Sequence, residues 1–117
     1  ITIYKPGTQI RNIMYIEDAV NSLLLAGFSK NSGGQAFIAT SDDHFSIIDI
    51  AQKICDVFGG SIDLINWPND MKNIEIGDAK YDNTKIKNIL KWEQTVDIDE
   101  GLRLTKDYFS KNSKYYF

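Results

Sequence analysis

Arg11, Tyr4 and Asp78 are the side chains whose type and setting could hold an anionic, hydroxyl-bearing ligand. Arg11 stands where the turn-like Gly7-Thr8-Gln9 gives way to the largely apolar Ile13-Met14-Tyr15-Ile16. A guanidinium at such a mouth offers a planar fork of donors that suits phosphate. Asp78 follows Gly77 after the apolar-flanked Ile74-Glu75-Ile76, a place where a carboxylate could accept sugar or ribose hydroxyls. Tyr4, at the end of the first extended segment, could lie flat against a base. Each has a plainer use as well. Arg11 could pair with Glu17 or Asp18, Asp78 could cap a turn, and Tyr4 could sit in the core.

The familiar catalytic patterns are missing from these residues. The sequence contains no glycine-rich phosphate loop, no G-x-S-x-G elbow, and no Cys/His cluster with metal-ligand spacing. His44 is the single histidine and lies beside Asp42-Asp43 in a loop, where a solvated role is expected. Cys55 is the single cysteine, so no intrachain disulfide can form. It sits in an apolar helical pattern and reads as a small buried hydrophobe in a reducing, cytoplasmic setting. By itself this chain is not expected to turn over a substrate.

The elements that must position these residues are those of one domain or a piece of one. The chain has 117 residues, 43% hydrophobic and 25% charged, with a net charge of −3. A chain of this length can bury a real core, and its charge creates no general attraction for nucleic acid or anionic membranes. An anionic ligand must be held by local groups. No apolar run approaches a membrane span. The opening Ile1-Thr2-Ile3-Tyr4-Lys5-Pro6-Gly7 reads as a strand running into a turn, which suggests a fragment of something longer.

Periodicity and turn chemistry predict the rest of the order. Extended segments are expected at 1–4 and 9–16, then a helix from about Glu17 with Val20, Leu23, Leu24 and Phe28 on one stripe. A loop at 31–35 leads to a short strand at 36–39. The next helix is the best specified: Ser46 as N-cap with Asp49 three residues on, and Phe45 and Ile50 placed as a hydrophobic staple. Its stripe is Ile47, Ile50, Ala51, Ile54 and Phe58, and Gly59-Gly60 closes it. A strand at 61–67, a polar loop at 69–73 and a short extended piece at 74–76 follow. A third helix starts near Asp82 or Asn83 and packs Ile86, Ile89 and Leu90. A fourth is capped by Asp97 with Glu100 at N3, carries Leu102, Thr105 and Phe109 as its stripe, and gives way to a fraying tail at 113–117. The pattern is an α/β (α+β-like) arrangement, a short mixed sheet with about four helices. Its strands are too few to finish a sheet alone.

In order along the chain, these residues resemble a known family. Gly7-Thr8-Gln9-Ile10-Arg11-Asn12, continuing through Tyr15-Ile16-Glu17-Asp18, is similar to the G-x-Q-x-R-D-[FY]-[IV]-[YH]-V-x-D stretch of the extended short-chain dehydrogenases/reductases, the nucleotide-sugar epimerases and dehydratases. Ala36-Phe37-Ile38-Ala39 stands where that family has a Y-N-[IL]-G strand, and Phe45 to Ile50 matches its S-[IV]-x-[ED]-[LV] helix start. Asp82 to Trp92 resembles D-x-S-K-x-x-x-x-L-G-W, and Asp97 to Leu102 resembles a closing L-x-E-G-L. The resemblance covers nearly the whole chain and implies a C-terminal, substrate-binding lobe over 1–117. The glycine-rich NAD(P) loop and the Tyr-x-x-x-Lys pair of an N-terminal Rossmann domain would then lie outside it. It also implies that Arg11 contacts the phosphates of a nucleotide-diphosphate sugar, that Tyr4 lies near the base, and that NAD(P) is bound mainly by that other domain. The implied parent is an NAD(P)-dependent enzyme of the UDP-sugar 4-epimerase kind, with this lobe inactive alone.

The chain departs from the family pattern in places. Asn12 replaces an aspartate, and Glu75 falls where many epimerases carry a second phosphate-contacting arginine. Lys80 or Lys72 is the compensating cation to look for, and the Asp78–Asp82 spacing is shorter than in many relatives. The competing reading is a non-catalytic nucleotide-sugar binding or assembly module without a redox partner domain. In either case the apolar faces of 1–4, 13–16 and 36–39 are expected to be exposed and to drive dimer formation or other self-association.

Overall fold

The computed structural model describes residues 1–116, the Lys72 side chain apart. Strand β1 (Thr2–Tyr4) and strand β2 (Ile10–Arg11) precede helix α1 (Ile16–Phe28). Strand β3 (Phe45–Ser46) runs directly into helix α2 (Ile47–Phe58), and strand β4 (Asp63–Ile65) follows. Helices α3 (Thr84–Leu90) and α4 (Ile98–Asn112) close the order, with short 3-10 turns at Lys72–Ile74 and Ser113–Tyr115. β1 pairs with β4 in parallel, Tyr4 opposite Ile65, and β2 pairs with β3 antiparallel, Arg11 opposite Phe45. The result is a partial α/β unit of four helices, with its strands of mixed direction split into two pairs instead of one sheet.

α2 forms where its local signals place it. The Ser46 hydroxyl accepts from the Asp49 amide at 3.2 Å, and the Asp49 carboxylate accepts from the Ser46 amide at 3.3 Å, a full capping box. The next two orphan amides are taken by the 7–9 turn: Ile47 donates to the Gln9 carbonyl at 3.1 Å and Ile48 to the Gly7 carbonyl at 2.9 Å. That turn requires glycine. Gly7 has φ +74°, and a Cβ there would lie 3.1 Å from Ile3 Cγ2. Gly59 ends the helix with positive φ, but its ψ of 175° is extended, not left-handed helical. The face carrying Ile50, Ala51 and Cys55 is buried, and α2 packs on α4. Lys53 of α2 also pairs with Asp99 of α4 at 2.7 Å.

A second nucleus forms around α3. Ile86, Leu90 and Trp92 are buried together, packed against Met14, Ala26, Phe37, Ala39 and Ile89. Trp92 is only 1% exposed, and its indole donates to the Asp18 carbonyl at 3.1 Å. Asp18 itself is fully buried. Its carboxylate accepts from the Thr95 amide at 3.0 Å, the Thr95 hydroxyl at 2.6 Å and the Val96 amide at 3.0 Å. The first turn of α1 is thereby tied to the loop that leads into α4.

Several expectations from periodicity are corrected. The extended reading of 9–16 shrinks to Ile10–Arg11, and α1 begins at Ile16. Residues 36–39 form no strand; the short strand of this region is β3 instead, just before α2. A strand exists only through a neighbour's ladder, and none of the described strands lies beside 36–39. The strand at 61–67 is confined to Asp63–Ile65, and 74–76 forms no strand, its first residue closing the 3-10 turn of Lys72–Ile74. The tail closes in another such turn up to Tyr115, and Phe117 lies outside the described residues. The largest correction concerns α1. Its buried residues are Asp18 and Ser22, while Val20, Leu23, Leu24 and Phe28 face outward. The apolar stripe is real, but it does not face this chain's own core.

Candidate functional site

The end of β1 and the end of β2 bring Tyr4 and Arg11 to one cleft. With a volume of about 300 Å³, the cleft is lined on one side by β1 and on the other by Ile47, Ile50 and Ile54 of α2. Trp67, Gln9 and Glu75 complete its polar and aromatic wall. Asp78 does not line it.

Tyr4 owes its place to the parallel β1–β4 pair. Two residues beyond the end of β4, Trp67 lies against Tyr4 with ring centroids 4.5 Å apart and planes at 31°. The indole is fixed by a 2.6 Å hydrogen bond to the Lys5 carbonyl, and the Tyr4 hydroxyl points at the Met71 sulfur, 3.8 Å away. In the sequence Trp67 reads only as the end of the strand expected at 61–67. The signal that could have found it is the pairing of two like-directed strands, each with an aromatic at or just beyond its C-terminal end.

Arg11 is held by the segment at 75–79, which runs along the free edge of β2. The Ala79 amide donates to the Ile10 carbonyl at 3.0 Å, and the Ile10 amide donates to Asp78 Oδ1 at 2.9 Å. Arg11 Nη1 donates to the carbonyls of Ile10 at 2.8 Å and Gly77 at 2.6 Å. Nη2 donates to Glu75 Oε1 at 2.9 Å. The plainer partners expected for Arg11, Glu17 and Asp18, are not the ones it uses. Three of the five N–H donors of the guanidinium are committed within the chain.

Glu75 is equally constrained. Its Oε1 also accepts from the Gly77 amide at 3.0 Å, and Gln9 Nε2 lies 3.5 Å from Oε2. The hydrogen bond from Arg11 foremost holds the Glu75 carboxyl below the usual carboxylate range, so it is ionised near neutral pH. Gln9 Oε1 is buried and has no hydrogen-bond partner among the described residues. It is a buried acceptor belonging to a residue of the cleft wall. Lys80 lies 3.6 Å from Asp78 and not at Arg11, while the Lys72 side chain lies outside the described residues.

Taken together, the cleft offers an aromatic face, an apolar wall from α2, one partly committed guanidinium and one free buried acceptor. That set suits a planar ring joined to an anionic group. The ends of α2 and α4 do not add an anion site, because Ser46 and Asp97 cap them internally. His44 is exposed and Cys55 buried, and neither lines the cleft. Among the described residues no His, Cys, Asp and Glu side chains gather as a metal site. Among the described residues no helix is long and apolar enough to cross a membrane.

No family model matches the chain. It is 30% identical over 112 residues to UDP-glucuronic acid decarboxylase 5 of Arabidopsis thaliana, covering 93% of this chain and 31% of that protein. The fold superposes on the protein Pal of Bacillus thuringiensis with a TM-score of 0.83 and 27% identity, over 96% of this chain and 35% of the other. It also superposes on the UDP-glucuronic acid 4-epimerase of Bacillus cereus, solved with UDP-glucuronic acid and NAD, with a TM-score of 0.75 and 24% identity over 95% and 35%. The chain spans about a third of the length of the proteins it matches. In sequence and in fold it is a homologue of part of the extended short-chain dehydrogenases/reductases, the family of the UDP-sugar decarboxylases, epimerases and dehydratases.

Proposed function

We propose that this chain is the nucleotide-sugar-binding lobe of an NAD(P)-dependent enzyme acting on UDP-sugars, of the 4-epimerase-like kind, and that it does no chemistry alone. The observation that carries the reading is the convergence of Tyr4, Trp67 and Arg11 on one cleft. In this reading the uracil lies along the aromatic pair, the diphosphate meets the guanidinium of Arg11, and Gln9 Oε1 accepts from a hydroxyl. Asp78 Oδ2, 3.6 Å from Lys80 Nζ, is the carboxylate oxygen that a sugar or ribose hydroxyl of a ligand extending past Arg11 would meet. The lobe's contribution is to hold the handle so that the sugar is presented to groups elsewhere. Its own residues provide no cradle for NAD(P): the glycine-rich turn is missing from the sequence, and the N-termini of α2 and α4 are filled from within. NAD(P) therefore belongs to a Rossmann domain of the parent, and no hydride step is drawn through these residues.

The test is calorimetric titration of UDP and UDP-glucose into the chain and into its Arg11→Ala variant. Arg11→Ala is expected to weaken binding by about 1.5–3 kcal/mol, the cost of losing a charged hydrogen-bonding partner. Flat titrations for both proteins would sink the reading. A second reading, decarboxylation of a UDP-uronic acid, is favoured by the relative at 30% identity, itself a UDP-glucuronic acid decarboxylase. Products of the parent enzyme separate the two: an epimerised hexose in one case, a UDP-pentose with carbon dioxide in the other.

A further inference from the structure

Arg11 meets a carboxylate of its own chain at the atom where a phosphate would be expected. Glu75 Oε1 stands 2.9 Å from Nη2, and both side chains keep about a quarter of their surface exposed, 26% for Arg11 and 25% for Glu75. The pair is therefore reachable from the cleft that both residues line. Its local charge is zero, so the cleft in this state offers an incoming anion little attraction. The carboxylate is also anchored from behind, by the Gly77 amide at 3.0 Å. Gly77 has φ +72°, a conformation that glycine adopts freely, and it folds the 75–78 segment back onto β2.

We infer that Glu75 is an internal competitor for Arg11, a latch that a ligand phosphate must displace from Nη2 before the guanidinium can engage it. This inference rests on the nucleotide reading of the cleft and adds a gating residue to it. Displacement leaves Nη1 on the Gly77 and Ile10 carbonyls, so the arginine stays positioned while its second arm changes partner. Glu75 keeps the Gly77 amide throughout. A partly exposed ion pair of this kind is a modest obstacle, worth about a factor of five in apparent affinity. It selects for ligands whose anionic group outbids a carboxylate, as a diphosphate does through charge and number of acceptors.

Four proteins test it by titration with UDP: the wild-type chain, Glu75→Gln, Arg11→Ala and the double variant. Glu75→Gln keeps the side-chain shape and the acceptor for Gly77 but removes the charge, and about five-fold tighter binding than wild type is expected. In the Arg11→Ala background the same substitution should give no gain, since the latch acts through Arg11. A fifth protein, Glu75→Ala, should repeat the gain, because it too removes the carboxylate. Weaker or unchanged binding by Glu75→Gln overturns the latch, as does an equal gain with and without Arg11, which would mean general charge repulsion. If UDP binds none of the four, the nucleotide reading falls and the latch with it. If UDP binds the wild type through Arg11 with no gain on releasing Glu75, the latch alone falls.

Discussion

Asp18 lies outside the cleft of Tyr4 and Arg11, wholly enclosed by the chain. A fully buried carboxylate is tolerable only when its lone pairs are taken, and three donors from Thr95 and Val96 take them. Asp18→Asn shows what this is worth. An amide keeps one acceptor but turns an NH2 toward a backbone N–H that needs an acceptor, leaving two donors facing each other. The expected cost is about 2–3 kcal/mol, read as a lower urea midpoint with unchanged slope. A midpoint within error of wild type would show that the buried carboxylate is replaceable. Sequence alone puts Asp18 in the first turn of a helix that starts near Glu17, where an acid suits the helix dipole. It could not show the burial, because the donors lie more than seventy residues away in the chain. Tyr4 and Arg11, singled out in the sequence, do line one cleft. Trp67 and the Arg11–Glu75 contact were not legible there, since both depend on which strands become neighbours.

Elements were legible in proportion to how local their causes are. α2 carries its start, its stripe and its stop within fifteen residues, and the capping box forms as its spacing predicts. Its stability depends on that start. Ser46→Ala removes the acceptor for the Asp49 amide and one side of the reciprocal pair, and should cost about 1 kcal/mol of stability. Ser46→Asp, another good N-cap acceptor, should recover part of the loss in the same denaturation measurement. Equal stability of the alanine and wild-type chains would show that the carbonyls of Gly7 and Gln9 suffice to hold the helix start. Residues 36–39 illustrate the opposite case. Their composition suits a strand, but Phe37 and Ala39 pack sideways against Ile86, Leu90 and Trp92 while Ile38 points outward. Apolar composition cannot supply a ladder partner, so the element expected there does not form.

At the scale of the whole molecule, the surface is too large for the mass. A self-contained 13.3 kDa protein exposes about 6,500 Å², whereas this chain exposes 7999 Å². Its radius of gyration is 17.0 Å, against about 13 Å for a compact domain of this length. The excess is not spread evenly. On α1, Phe28 is 85% exposed and Leu23 72%, with Val20, Leu24 and Ile16 beside them, and a cleft of about 630 Å³ continues this surface past Leu90 and Trp92. Ile1, Ile13 and Ile38 add to it, as expected for the faces of 1–4, 13–16 and 36–39. A stripe that reads as core in the sequence but faces outward is a surface built to be covered. The chain should therefore self-associate when nothing else covers that surface. Light scattering during size-exclusion chromatography should give a mass that rises with protein concentration. The double variant Leu24→Glu/Phe28→Glu should return the mass to that of one chain without lowering the unfolding midpoint, because neither side chain is buried in the monomer. A wild-type chain that stays monomeric at high concentration would mean that this apolar face does not bind its own copy. Only a different partner would then account for its composition.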